Sequence, residues 1–141
     1  MPISFAPRPA TVLIVDDDAT LRTLFKLMLR TEPYRILEAD SGRRALTVAA
    51  AERPDVILLD VMLPDISGFE VCRQLRRSPG GLSSKIIIIS ALSSVKPAQV
   101  AQAGADDFWP KPIGIQDLRG GIQRLLLEAA PAPGGPLTVP A

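Results

Sequence analysis

The sequence predicts a doubly wound α/β domain, a five-stranded parallel sheet with helices on both faces. Three observations lead there. Five short β-type runs, Val12–Val15, Arg35–Glu38, Val56–Leu59, Ile86–Ile89 and Phe108–Trp109, are separated by segments long enough for helices, giving a five-fold βα alternation. The runs at Val12, Val56 and Ile86 are apolar without alternation, as strands covered on both faces should be. Two of the segments that follow these runs carry a single apolar face at helical spacing.

Taken in order, the first strand, Val12–Val15, runs into Asp16-Asp17-Asp18. Leu21, Leu24, Phe25, Met28 and Leu29 then repeat at i, i+3, i+4, i+7 and i+8, which puts them on one side of a first helix. The second run is more polar. The third, Val56–Leu59, is followed by Asp60, and the helix after it carries Cys72, read as a small buried hydrophobe. The fourth, Ile86–Ile89, is followed by Ser90. The fifth holds Phe108 and Trp109, and Pro110 beside them lacks a backbone donor, which places this strand at a sheet edge. Leu118, Ile122, Leu125 and Leu126 mark the last helix, but Gly120 and Gly121 each cost about 1 kcal/mol relative to alanine, so a loose or broken helix is expected there.

The chain of 141 residues fits one domain. Seven of its fourteen prolines fall in the first ten and last eleven residues. Residues 1–10 therefore read as a flexible arm, 11–130 as the ordered body, and 131–141 as a Pro/Gly-rich tail or truncated linker. Sixteen basic residues against fifteen acidic ones leave a net charge of +1, which supplies no field for nucleic acid or an anionic membrane. The aliphatic runs are only four residues long, and the N-terminus has no apolar signal segment, so no membrane span and a cytoplasmic location are expected. One cysteine excludes an internal disulfide and a cysteine-cluster metal site. The absence of histidine excludes Ser-His and Cys-His nucleophile pairs, an imidazole zinc site and a phosphohistidine within this chain.

In open parallel sheets, ligands bind beyond the carboxyl ends of the strands, so the residues that close each run are the informative ones. They are Asp16-Asp17-Asp18, Asp60, Ser90 and Lys111. Right-handed crossovers bring such ends to one edge of the sheet. Any single Asp here would read as a helix cap or a solvated loop carboxylate; four strand ends that agree argue for a site. Clustered carboxylates resist joint ionisation unless a cation compensates, and Mg²⁺, which joins one or two carboxylates to a phosphate, fits this donor set.

The pieces Val12-Leu13-Ile14-Val15-Asp16-Asp17-Asp18, Asp60-Val61-Met62-Leu63-Pro64-Asp65-Ile66-Ser67-Gly68, Ile89-Ser90-Ala91, Gly104-Ala105-Asp106-Asp107-Phe108 and Lys111-Pro112 resemble, in order and spacing, the receiver domain of two-component response regulators. The resemblance spans nearly all of residues 11–130 and implies a flavodoxin-like strand order 2-1-3-4-5. It implies that Asp60 takes a phosphoryl group from a phosphohistidine. Asp17, Asp60 and the main-chain carbonyl of Met62 would bind Mg²⁺, or Mn²⁺ in its place, with Asp16 acting through a metal-bound water. Lys111 would pair with Asp60 and then with a phosphoryl oxygen, Ser90 would bond another phosphoryl oxygen, and the Lys111–Pro112 bond would be cis. Phe108 falls at the aromatic switch position, where strand packing is the plainer role.

The implied donors are a histidine kinase or a histidine phosphotransfer protein. The implied output is a target bound through the fourth helix, fifth strand and fifth helix, with no direct nucleic-acid contact. Such a domain is a phosphoacceptor that also loses its phosphoryl group to water, and not a metabolic enzyme. Two other readings compete. Asp16-Asp17-Asp18-Ala19-Thr20 satisfies the Asp-x-Asp-x-Thr pattern of haloacid-dehalogenase-like phosphatases, with Asp16 as nucleophile and Asp18 as acid or base. A receiver-like docking module without phosphorylation is the other, although Asp60, the acidic pair and Lys111 are all present.

Overall fold

The computed structural model describes residues 8–78, 83–91, 93 and 95–129. The elements alternate strictly: β1 Thr11–Val15, α1 Ala19–Leu29, β2 Arg35–Ala39, α2 Gly42–Glu52, β3 Val56–Asp60, α3 Gly68–Arg77, β4 Lys85–Ser90, α4 Pro97–Ala103, β5 Asp107–Pro110 and α5 Ile115–Ala129. The sheet runs β2-β1-β3-β4-β5, with every pair parallel, as expected from the sequence. Residues 1–7 of the expected arm, residue 130 of the expected body and the expected tail, 131–141, lie outside the described residues. Among the described residues, no helix is long and apolar enough to cross a membrane.

Strand side chains alternate between faces, and here both faces are covered, which is why the central runs show no polar alternation. On one side Leu13, Ile57, Leu59, Ile86 and Ile88 pack with Ala45 and Ala49 of α2 and with Val71, Cys72 and Leu75 of α3. On the other, Val12, Ile14, Val56, Leu58, Ile87 and Ile89 meet Phe25 and Leu29 of α1 and Leu118, Ile122 and Leu125 of α5. Each such Leu or Ile contributes about 1.5–3 kcal/mol by leaving water. Cys72 is fully buried in the first layer, and burial pushes its thiol up to about 11.

Helix starts follow local chemistry. The Asp18 side chain accepts from the Thr20 and Leu21 amides, Ser41 from Arg44, and Ser67 from Phe69. Arg76 at the end of α3 donates to the carbonyls of Gly104 and Ser84 and to Asp106, each at 2.7 Å, fastening α3 to the end of α4 and to the entries of β4 and β5.

Two sequence expectations concern the last elements. β5 is an edge strand, as Pro110 indicates, and among the described residues it pairs only with β4. The loose or broken helix expected at Gly120-Gly121 is corrected: α5 is continuous from Ile115 to Ala129. The reason lies across the layer. A Cβ at Gly121 would stand 2.5–2.6 Å from the Trp109 ring, so the missing side chain makes room for the indole, which donates to Asp107 Oδ2 at 3.0 Å. Packing against Trp109 and the buried face of α5 outweighs the helix propensity lost at two glycines.

Candidate functional site

Asp16 leaves β1 with its amide bonded to the carbonyl of Ala39 on β2 (3.1 Å). Its Oδ1 accepts from the Asp18 amide at 2.9 Å, and its side chain is nearly fully buried. Asp17 is exposed at the rim. Asp60 is the last residue of β3, and its Oδ1 takes a long bond (3.4 Å) from the Met62 amide. Carboxylate oxygens of Asp16, Asp17 and Asp60 all lie within 4.8 Å of one another. The three acids thus converge although 44 residues of sequence separate Asp16 from Asp60.

Lys111 follows β5 and reaches the same point. Its Nζ is 2.8 Å from Asp16 Oδ2 and 3.3 Å from Asp60 Oδ2. The expected partner, Asp60, is therefore the farther of the two, and Asp16 holds the amine. Burial alone would lower the lysine; the hydrogen bond to Asp16 and the charge of Asp60 outweigh it, and the ammonium is held above its ordinary range. Burial raises the carboxyl of Asp60, Lys111 pulls it down, and Asp16 pushes it up again, for a net rise. The Lys111–Pro112 peptide is cis.

A cleft of about 570 Å³ opens over these groups, lined by Asp16, Asp17, Asp60, Met62 and Lys111. Met62 is exposed in the loop that follows Asp60. Ser90, the last residue of β4, is buried, and its carbonyl accepts from the Lys111 amide at 2.9 Å. Phe108 is half-buried and packs toward the α2-α3 layer, lining a second cleft of about 400 Å³ with Val95, Pro97, Val100 and Ala105. Trp109 faces the opposite layer.

Two contributors escaped the sequence reading. Gly68, quoted there without a role, donates its amide to Val61 at 2.9 Å, and a Cβ on it would overlap the carbonyl of Asp60. The loop carrying Met62 can lie against the end of β3 only because no side chain is present. Asp65 accepts from the amides of Gly42 and Arg43 at 2.8 Å each, tying this loop to the start of α2. Those bonds, that of Arg43 foremost, lower its carboxyl to about 2. The Pro64-Asp65 turn is visible in the sequence, but its partner helix, more than twenty residues earlier, is not.

The family description "Response regulator receiver domain" matches residues 12–123. The chain belongs to the response regulator receiver domain family. It is 39% identical over 127 residues to the response regulator MprA of Mycolicibacterium vanbaalenii, covering 89% of this chain and 54% of that protein. The corresponding figures for MprA of Mycobacterium leprae are 39% over 121 residues, 85% and 52%. The chain thus spans about half the length of the curated relatives it matches. Among solved structures, it superposes on a CheY-like receiver domain from Methanospirillum hungatei with a TM-score of 0.81 at 28% identity, covering 86% of this chain and 97% of that one. The receiver domain of a sensor histidine kinase from Pseudomonas aeruginosa, with a magnesium ion coordinated in its active site cleft, gives 0.77 at 29%, covering 84% and 98%. The chain is a receiver domain of the two-component kind, a signalling domain whose acidic pocket is that of Asp16, Asp17 and Asp60.

This membership overturns the phosphatase reading. Asp18, its acid or base, is spent as the cap of α1.

Proposed function

We propose that Asp60 is the phosphoacceptor of this receiver. The observation that carries the reading is the convergence of three carboxylates and one lysine in a single cleft at the carboxyl end of the sheet. A carboxylate oxygen of Asp60 attacks phosphorus, an acyl phosphate forms, and the P–N bond to the donor imidazole breaks. The chain has no histidine, so the donor is external: a histidine kinase or a histidine phosphotransfer protein.

The donor set is hard, anionic and oxygen-only, which suits Mg²⁺, with Mn²⁺ able to replace it. Asp17, Asp60 and the Met62 carbonyl would hold the ion, with Asp16 acting through a water. When bound, the ion neutralises charge on the transferred group. Lys111, already shared between Asp16 and Asp60, then turns to a phosphoryl oxygen as a point charge. The Ser90 hydroxyl bonds another oxygen, and Phe108 follows it inward, so that the phosphoryl charge favours one of two states of the domain. The readout is the α4-β5-α5 face, where one cleft beside Phe108 and another of about 500 Å³ beside Trp109 flank β5. Water eventually cleaves the acyl phosphate, so the domain acts as a timer in the cytoplasm and not as a metabolic enzyme.

Incubation with acetyl phosphate and Mg²⁺, followed by intact mass measurement and peptide mapping, tests the reading. One phosphoryl adduct on Asp60 that is absent from Asp60→Asn is expected. An adduct on Asp16, or none on a folded wild-type chain, would sink it.

A further inference from the structure

We propose that Arg22 is a positioning residue that sets the acidic turn for divalent-cation binding, an inference that rests on reading Asp16, Asp17 and Asp60 as the cation site. Arg22 lies one turn into α1 with little of its side chain exposed. Its Nη1 donates to the main-chain carbonyl of Asp16 at 2.7 Å, and its Nε donates to Glu38 Oε1 at 3.0 Å. Its own amide donates to the carbonyl of Asp18 at 3.1 Å. One residue thus grips the acidic turn at both ends and ties it to the end of β2.

The contact with Asp16 matters because of what that carbonyl belongs to. It lies in the peptide plane between Asp16 and Asp17, and such a plane is rigid. Fixing its oxygen with a charged donor restricts the backbone from which the Asp17 side chain projects. The Asp16 side chain is already held, by Lys111 on one oxygen and by the Asp18 amide on the other. Among the described residues Asp17 has no such tether, so the orientation of its backbone is what remains to aim it. Glu38 accepts the Nε bond on the side of the guanidinium away from the turn and is itself held by Lys26 at 2.8 Å, so the contact of Arg22 with Asp16 stands apart from it.

Charge and geometry make opposite predictions, which separates this role from an ordinary helix-packing ion pair. A positive group removed from beside a cation site should tighten cation binding on charge alone. Loss of the tether should weaken it. Titration calorimetry of the full chain with MgCl₂ at fixed pH and ionic strength reads the sign. Arg22→Gln is expected to weaken Mg²⁺ binding about three- to tenfold, the range for losing part of one charge-assisted hydrogen bond. Arg22→Lys, which keeps the charge but lacks the fork that reaches both Asp16 and Glu38, should move the same way. Glu38→Gln leaves the Asp16 contact in place and should lower the thermal midpoint while keeping Mg²⁺ affinity within about twofold of wild type. Thermal unfolding of each variant confirms that folded protein is compared.

Binding by Arg22→Gln as tight as wild type or tighter overturns the proposal, as does an equal loss in Glu38→Gln. A folded wild-type chain that binds no Mg²⁺ would remove the cation reading itself, and the proposal with it, a result distinct from an unchanged variant.

Discussion

β3 and β5 end at the same cleft and are built in opposite ways. All five residues of β3 are buried, whereas none of the four in β5 is. β3 is flanked by β1 and β4 and has a helical layer on each side; β5 has one neighbour and ends in a proline. Asp60, the carboxylate proposed as phosphoacceptor, therefore stands on backbone held from every direction. The lysine and the aromatic ring that would answer to it stand on backbone held from one side. Fixed geometry suits a nucleophile, and a weakly held edge suits a group that must change place.

Mutations can break or sharpen that contrast. The largest effect is expected at the centre: Leu58→Ala, at a site only 1% exposed, should destabilise by about 2–5 kcal/mol in urea unfolding. Phe108→Leu, on the edge strand, should lose less than about 1.5 kcal/mol in the same measurement. Equal losses would mean that β5 is as rigidly built as β3.

Within the edge unit, Gly121→Ala drives a methyl into the Trp109 ring and should cost about 1–3 kcal/mol, with a change in the emission of the chain's single tryptophan. Its neighbour behaves oppositely. Nothing lies within 4 Å of a Cβ at Gly120, so Gly120→Ala should stabilise by up to about 1 kcal/mol and leave the emission unchanged.

The smallest effect concerns pH at the rim of the central site. Asp65 is lowered from 3.8 to about 2, so its contribution is complete above the ordinary carboxylate range and is lost as pH falls through about 2. In urea unfolding between pH 6 and 3, the gap between wild type and Asp65→Asn should narrow as acid is added. A gap that stays constant would show that the amides of Gly42 and Arg43 are not what holds this carboxyl low.

How much of this was legible in the sequence follows the range of the interactions. The central strands declare themselves because burial on both faces demands unbroken Val, Ile and Leu, and the closing Asp60 and Ser90 stand out against them. The edge position of β5 was legible from Pro110, a local fact about one missing donor. The continuity of α5 was not, because Gly121 is explained only by Trp109, twelve residues away and on another element. Nor could spacing rank the partners of Lys111: Asp16 and Asp60 are both aspartates at strand ends, and a difference of 0.5 Å between them belongs to the packing. Nothing in the sequence singles out Arg22, since a bond to a carbonyl six residues back leaves no mark in composition.

The sealed thiol of Cys72 has a practical consequence. Because the chain's sole sulfhydryl is fully covered and pushed up to about 11, maleimide and iodoacetamide reagents should pass the native protein by. A cysteine introduced at an exposed position on α4 or α5 would then be the one attachment point for a spin label or fluorophore, with no need to delete the original.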